Sequence, residues 1–184
     1  MATPALAQFG SDELRRQFLT PAIAGDMVAC IGVTEPGAGS DVASLKTAAR
    51  KDGDDYIING SKVFITNGSQ ADWVCLLCNT SDGPVHRNKT LICVPMDSPG
   101  VTVERTLNKL GMRASDTALI YFDDVRVPIA NLVGPLNGGW TIAKELLGRE
   151  RAVISKLRDA NSEEEATLVD LAKRYLKIED GRLA

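Results

Sequence analysis

Ile31–Asp41, IGVTEPGAGSD, ends a short apolar run, Met27 to Val33, and breaks at Thr34-Glu35-Pro36 into a glycine-rich turn that finishes on two polar side chains. The pattern is that of a strand delivering a loop. Gly37 and Gly39 carry no side chain, so the backbone there can bring bare N–H donors close to an anionic group. Thr34 and Ser40 place hydroxyls at either end of the turn. Taken alone, a strand followed by a Pro/Gly turn is most often only a turn, so the meaning of this one depends on its surroundings.

Downstream, from Met27 to about Val127, short β-rich runs alternate with compact turns. Val28–Val33, Leu45–Arg50, Tyr56–Ile58, Lys62–Thr66, Trp73–Cys78, Thr90–Val94, Val101–Arg105 and Ala118–Val127 read as strands. Asp52-Gly53, Asn59-Gly60 and Asn67-Gly68 read as hairpin-type turns, because these dipeptides accept positive φ at low cost. With little helix between them, the strands predict an antiparallel β-barrel or sandwich, and with helices on both sides the class is α+β.

Upstream, Ser11 to Leu19 carries a helix start: Ser11 as N-cap, Asp12 and Glu13 in the first turn, Leu14 and Phe18 on one face, and Pro21 following the end. At Pro128 the β pattern stops, and helix resumes after Asn137-Gly138-Gly139. Along Trp140 to Leu157 a stripe of Ile142, Leu146, Leu147, Val153, Ile154 and Leu157 has helical spacing. Glu150 falls inside that stripe, where removal from water would raise its pKa and make it a proton acceptor. On spacing alone the commoner outcome is a structural carboxylate paired with Arg149 or Arg151. Ser162 and Glu165 form a capping box before a second helix, Glu163 to Ile178, with Gly181 beyond its end. The expected domains are 1–26, the end of a helical region; 27–135, the β-domain; and 136–184, the start of a second helical region.

Composition narrows the function classes. The 184 residues carry a net charge of −3 with scattered basic residues, and 44% are hydrophobic. That is enough apolar content for a core, and no polybasic surface for nucleic acid or membrane is announced. Met1 to Gly10 lacks the charged start and long apolar core of a signal peptide, and no run reaches the length of a membrane span, so a cytoplasmic or mitochondrial-matrix location is expected. His86 is the only histidine, which leaves little for a His-based triad or metal site. Cys75 and Cys78 make a CxxC, but on a strand residues three apart face opposite ways, so packing is the expected role.

Four blocks in order, GVTEPGAGSDVAS (Gly32–Ser44), YIINGSKVFITNG (Tyr56–Gly68), GMRASDT (Gly111–Thr117) and FDDVRVP (Phe122–Pro128), resemble the flavin-dependent acyl-CoA dehydrogenases, over roughly Ser11 to Ile154. The resemblance implies a helical, a β- and a second helical domain, with FAD and an acyl-CoA held against the β-domain, in a homo- or hetero-oligomer that passes electrons to an electron-transfer flavoprotein. A full member is about twice as long, so the chain looks like a fragment. Thr34 resembles the threonine contacting the flavin ring, Ser40 the serine near the pyrophosphate and substrate, and Thr66 the threonine beside flavin N5. Phe64 stands where many members have tryptophan, and backbone groups of Val33, Ile65 and Asn67 would contribute. Most members carry the catalytic base far along the last domain, beyond residue 184. A minority place it on that domain's first helix, at the position of Glu150, with Arg151 where an arginine is common. The implied alternative is a non-catalytic module that binds flavin, acyl-CoA or a partner chain.

Overall fold

The structure, a computed structural model, describes residues 2–145, 178–179 and 182–183. The chain divides into units of residues 1–143 and 144–184. In the second unit Ile178–Glu179 and Arg182–Leu183 form an antiparallel pair. The helix expected to run to Ile178 therefore does not include it. The remainder of that helix lies outside the described residues.

In the first unit, helix α1 (Ala2–Phe9) precedes a helical run of α2 (Asp12–Leu14), a π-turn (Arg15–Leu19) and α3 (Thr20–Ala24). Ser11 caps it as expected, its Oγ accepting from Leu14 N at 3.2 Å. The run does not stop before Pro21. Proline fits the first turn of a helix, and here it opens α3, which ends only at Gly25, φ 89°. Leu14 and Phe18 are buried, and the Phe18 ring lies 5.5 Å from that of Trp73.

The β-region is β1 (Ala29–Gly32), β2 (Ala48–Asp52), β3 (Asp55–Thr66), β4 (Trp73–Asn79), β5 (Lys89–Pro95), β6 (Val101–Thr106), β7 (Thr117–Pro128) and β8 (Leu132–Val133). They form one sheet in the order β6-β7-β3-β2-β4-β5-β8, with β1 also on β4. The β-rich middle flanked by helical segments is as expected for the α+β class; the sheet itself is open and mixed, so barrel describes it only loosely. β1 runs parallel to β4 from Ala29–Trp73 to Gly32–Leu76, and β2 meets β4, again parallel, at Ala48–Asn79. A long loop, not a hairpin, joins β1 to β2. The chain therefore keeps its direction, and both strands share one edge of β4.

Asn59-Gly60 makes no turn, since β3 continues through it. β7 has one extra residue opposite it, the register passing from Ile58–Val125 to Gly60–Phe122. The extra residue is accommodated at Asp124, φ 48°, which Asn59 holds through both side-chain amide groups, at 3.0 and 2.9 Å. Gly60, φ 147°, is required by crowding: a Cβ there would lie 2.7 Å from Thr47 Cα. Gly60→Ala is expected to cost about 2–3 kcal/mol of stability, read as a lower denaturant midpoint at an unchanged slope.

β4 and β5 are buried along nearly their whole length. Cys78 joins the main core with Cys30, Val74, Leu76 and Ile92, whereas Cys75, also fully buried, stands outside that cluster. The two cysteines thus lie on opposite faces, as strand geometry expects. Burial pushes the thiols of Cys30, Cys75 and Cys78 up to about 12, where a thiol is neither nucleophile nor ready ligand at neutral pH. Among the described residues no helix is long and apolar enough to cross a membrane.

Candidate functional site

The Thr34–Asp41 loop leaves the sheet where β1 ends, alongside the outer half of β3. Val63 N donates to Thr34 O at 2.9 Å, which brings the loop against the residue before Phe64. Glu35 and Ala38 exchange backbone hydrogen bonds at 3.0 and 3.1 Å, closing the Pro36-Gly37 turn. Pro36, Gly37, Gly39 and Ser40 are exposed, and Thr34 and Val33 are half-buried. A Cβ at Gly37 would meet nothing within 4 Å, so the turn presents open backbone.

β3 changes phase at the site. Tyr56, Ile58 and Lys62 point inward. Between Lys62–Ile120 and Ile65–Ala118 β3 carries one extra residue, accommodated at Phe64, whose φ is 60°. Beyond this bulge Ile65 faces the core, while Phe64 is turned out and left 64% exposed. An aromatic residue in the left-handed region costs about 1–2 kcal/mol, and a largely exposed ring recovers little of that by packing within the described residues. The ring lines an open cleft of about 600 Å3 with Thr106, Leu107, Asn108, Lys109 and Thr117. Thr66, the last residue of β3, is exposed and pairs with Thr117. Ile65 offers only its backbone, and its carbonyl accepts from Gly68 N at 3.2 Å.

The structure thus sets Val33 and Thr34 alongside Lys62 and Val63 of β3, just before Phe64, Ile65 and Thr66 at that strand's end, with Ser40 at the far end of the loop. Glu150 and Arg151 lie outside the described residues.

Two groups that sequence reasoning passed over organise this end. Lys62 and Glu35 form a buried ion pair at 2.8 Å. Glu35 is one residue from Thr34, and alternation with Tyr56 and Ile58 could have flagged a lysine on the core face. Burial alone would raise the Glu35 pKa, but the Lys62 ammonium and the Lys46 and Thr47 groups hold it below the usual carboxylate value. Burial pushes Lys62 down, and Glu35 pulls it part of the way back.

The other is Asp116, from the GMRASDT block, which accepts from Ser69 N at 2.7 Å, Ser69 Oγ at 2.6 Å and Gln70 Nε2 at 2.9 Å. It ties the segment after β6 to the turn after β3. Partial burial would raise its pKa, but these donors hold it below 3.8. With the folded value below the unfolded one, its stabilisation is complete above 3.8 and disappears as pH falls through the folded value. Asp116→Ala is expected to cost about 1–2 kcal/mol at neutral pH, and the gap to wild type should close in acid; urea melts of both proteins across the acidic range check this.

The open features of this region are the bare Pro36-Gly37 turn and the outward Phe64 ring, on an open mixed sheet. The acyl-CoA dehydrogenase middle-domain family model matches residues 30–125, and the chain belongs to the acyl-CoA dehydrogenase family. It is 40% identical over 163 residues to the mitochondrial long-chain specific acyl-CoA dehydrogenase of Sus scrofa, covering 87% of this chain and 38% of that protein. It is also similar to the crystal structure of a probable acyl CoA dehydrogenase from Mycobacterium abscessus, at TM-score 0.82 and 42% identity over 100% of this chain and 48% of that one. A glutaryl-CoA dehydrogenase from Mycobacterium smegmatis, described in complex with FADH2, matches at TM-score 0.73 and 36% identity over 80% of this chain and 37% of that one. The chain spans less than half the length of these relatives.

Proposed function

We propose that this chain supplies the β-domain wall and adjoining helical segments of an FAD-dependent acyl-CoA dehydrogenase, which removes the α- and β-hydrogens of an acyl-CoA thioester. The observation that carries the reading is Phe64: a bulge holds an exposed aromatic ring in a costly conformation beside the Thr34 loop, in a chain of this family. The residues present fit an isoalloxazine, with a flat apolar surface at Phe64, hydroxyls at Thr34 and Thr66, and unobstructed backbone at Gly37 for an anionic tail near Ser40.

In the proposed arrangement residues 1–26 end a first helical domain, 27–135 form the β-domain and 136–184 begin the last domain. Phe64 would offer the flavin an aromatic surface, and backbone groups of Val33 and Ile65 would help to hold it. Thr34 and Thr66 would hold the ring through their hydroxyls, and Ser40 would serve the pyrophosphate and the substrate. When bound, FAD supplies a hydride acceptor for the substrate's β-hydrogen. Glu150 takes the α-proton as base, and Arg151 beside it binds substrate. Electrons leave to an electron-transfer flavoprotein, and the working enzyme is a homo- or hetero-oligomer.

Purification with and without FAD tests the reading. The chain is expected to take up flavin, giving the visible absorption of a bound isoalloxazine, and anaerobic acyl-CoA is expected to bleach it. Failure to take up flavin would defeat the flavoprotein reading of this chain; flavin that never bleaches would favour the non-catalytic module.

A further inference from the structure

We propose that the buried Lys62–Glu35 pair is a positioning clamp that sets the Thr34–Asp41 loop against the Phe64 bulge and so fixes the geometry of the site's two walls. Lys62 Nζ donates to Glu35 Oε1 at 2.8 Å and to Val33 O at 3.0 Å. The carboxylate also accepts from backbone, Lys46 N at 2.6 Å and Thr47 N at 2.9 Å. One ion pair therefore joins three segments: the start of the loop, the chain entering β2, and β3. Thr34 lies between the two loop residues that Lys62 holds, and its own carbonyl is bound by Val63. Two residues beyond Lys62 along β3 stands Phe64.

The location explains why a link is needed. β1 and β2 occupy successive stretches of one edge of β4, and the loop emerges at the gap between them. Backbone pairing with β4 does not extend over residues 33–47, apart from the bond from Asn79 N to Thr47 O at 2.8 Å. Beyond the single backbone bond from Val63 N to Thr34 O, side chains therefore determine where the loop lies against β3. A buried ion pair is a weak source of net stability, because desolvation offsets much of the Coulomb attraction. Its directional bonds nevertheless specify one arrangement over alternatives, and here they converge on the residues proposed to touch the cofactor. Neither residue is assigned a chemical step; both act through the loop and strand that they hold. The affinity part of this inference rests on the flavin reading above, whereas the structural part does not.

Hydrogen–deuterium exchange of the full chain without flavin tests the clamp. Lys62→Met is expected to accelerate exchange at least about tenfold in peptides covering residues 33–41 and at the amides of Lys46, Thr47 and Val63, with β4 and β5 exchanging as in wild type. Glu35→Gln, which keeps an acceptor for Lys62, is expected to do the same to a smaller degree, and it decides the matter if Lys62→Met does not fold. With FAD added, the dissociation constant for flavin is expected to rise at least about tenfold in Lys62→Met. Loop exchange unchanged in the variants, or accelerated equally through β4 and β5, would overturn the clamp, the latter by showing a global stability role. Local loosening with flavin affinity unchanged would overturn its link to the site. A wild-type chain that takes up no FAD would count against the proposed function, and the exchange comparison would still decide the clamp.

Discussion

Glu150→Gln is expected to leave FAD bound and to slow reduction of the flavin by acyl-CoA about a thousandfold, within the range for loss of a positioned general base. The amide preserves the size of the side chain and much of its hydrogen bonding but cannot take the α-proton. The argument begins with sequence periodicity. Glu150 lies four residues after Leu146 and three and four before Val153 and Ile154, so on a helix it shares their apolar stripe. A carboxylate is a proton acceptor of the kind this reaction needs. For the position of Glu150 in GRERAV the family resemblance implies the role of base, which is the proposal under test. Anaerobic stopped-flow reduction of the variant, with flavin content measured on the same sample, is the check. Reduction at the wild-type rate would remove Glu150 as base and place that role on another carboxylate.

Trp73→Ala is expected to lower the stability of the β-domain by about 3–5 kcal/mol, a fall in melting temperature on the order of 10 °C. Trp73 is fully buried, opens β4, and stands where β1 pairs with that strand. Its ring meets Phe18 at 5.5 Å with the planes inclined by 50°, so one side chain couples the N-terminal helical run to the sheet. Truncation removes a large apolar surface and leaves a cavity, because β1 and β5 hydrogen-bond β4 on either side and resist collapse into the space. Trp73→Phe should recover most of the loss. Thermal and denaturant unfolding of both variants are the measurements, and a loss below about 1 kcal/mol in the alanine variant would show that the helical run does not depend on this contact.

Much of the fold was legible because its signals are local. Apolar runs such as WVCLLC and LICV became β4 and β5, Ser11 became an N-cap, and Asp52-Gly53 became the β2–β3 turn. The misreadings occurred where a local signal met a distant partner. Asn59-Gly60 has turn chemistry, but Asn59 spends it on Asp124, 65 positions away, and the strand continues. Pro21 reads as a stop, yet it is accommodated in the first turn of α3. The β-rich class was legible but the open, mixed pairing was not, because strand propensity carries no information about strand direction: β1 and β2 both run parallel to β4.

The candidate site divides in the same way. Sequence by itself determined its ingredients: the glycine loop with Thr34 and Ser40, the FITNG strand end, the family resemblance that orders the four blocks, and the stripe that contains Glu150. Tertiary structure alone decided their placement among the described residues. Alternation from Tyr56 and Ile58 would have buried Phe64; one extra residue in β3 reverses the phase and turns the ring outward instead, because residues on a strand alternate faces with period two and a bulge shifts that alternation by one. Likewise Glu35 and Lys62 are 27 positions apart, and only the folding of the loop across β3 brings two charges together where water is excluded and their directional bonds can hold the site in one arrangement.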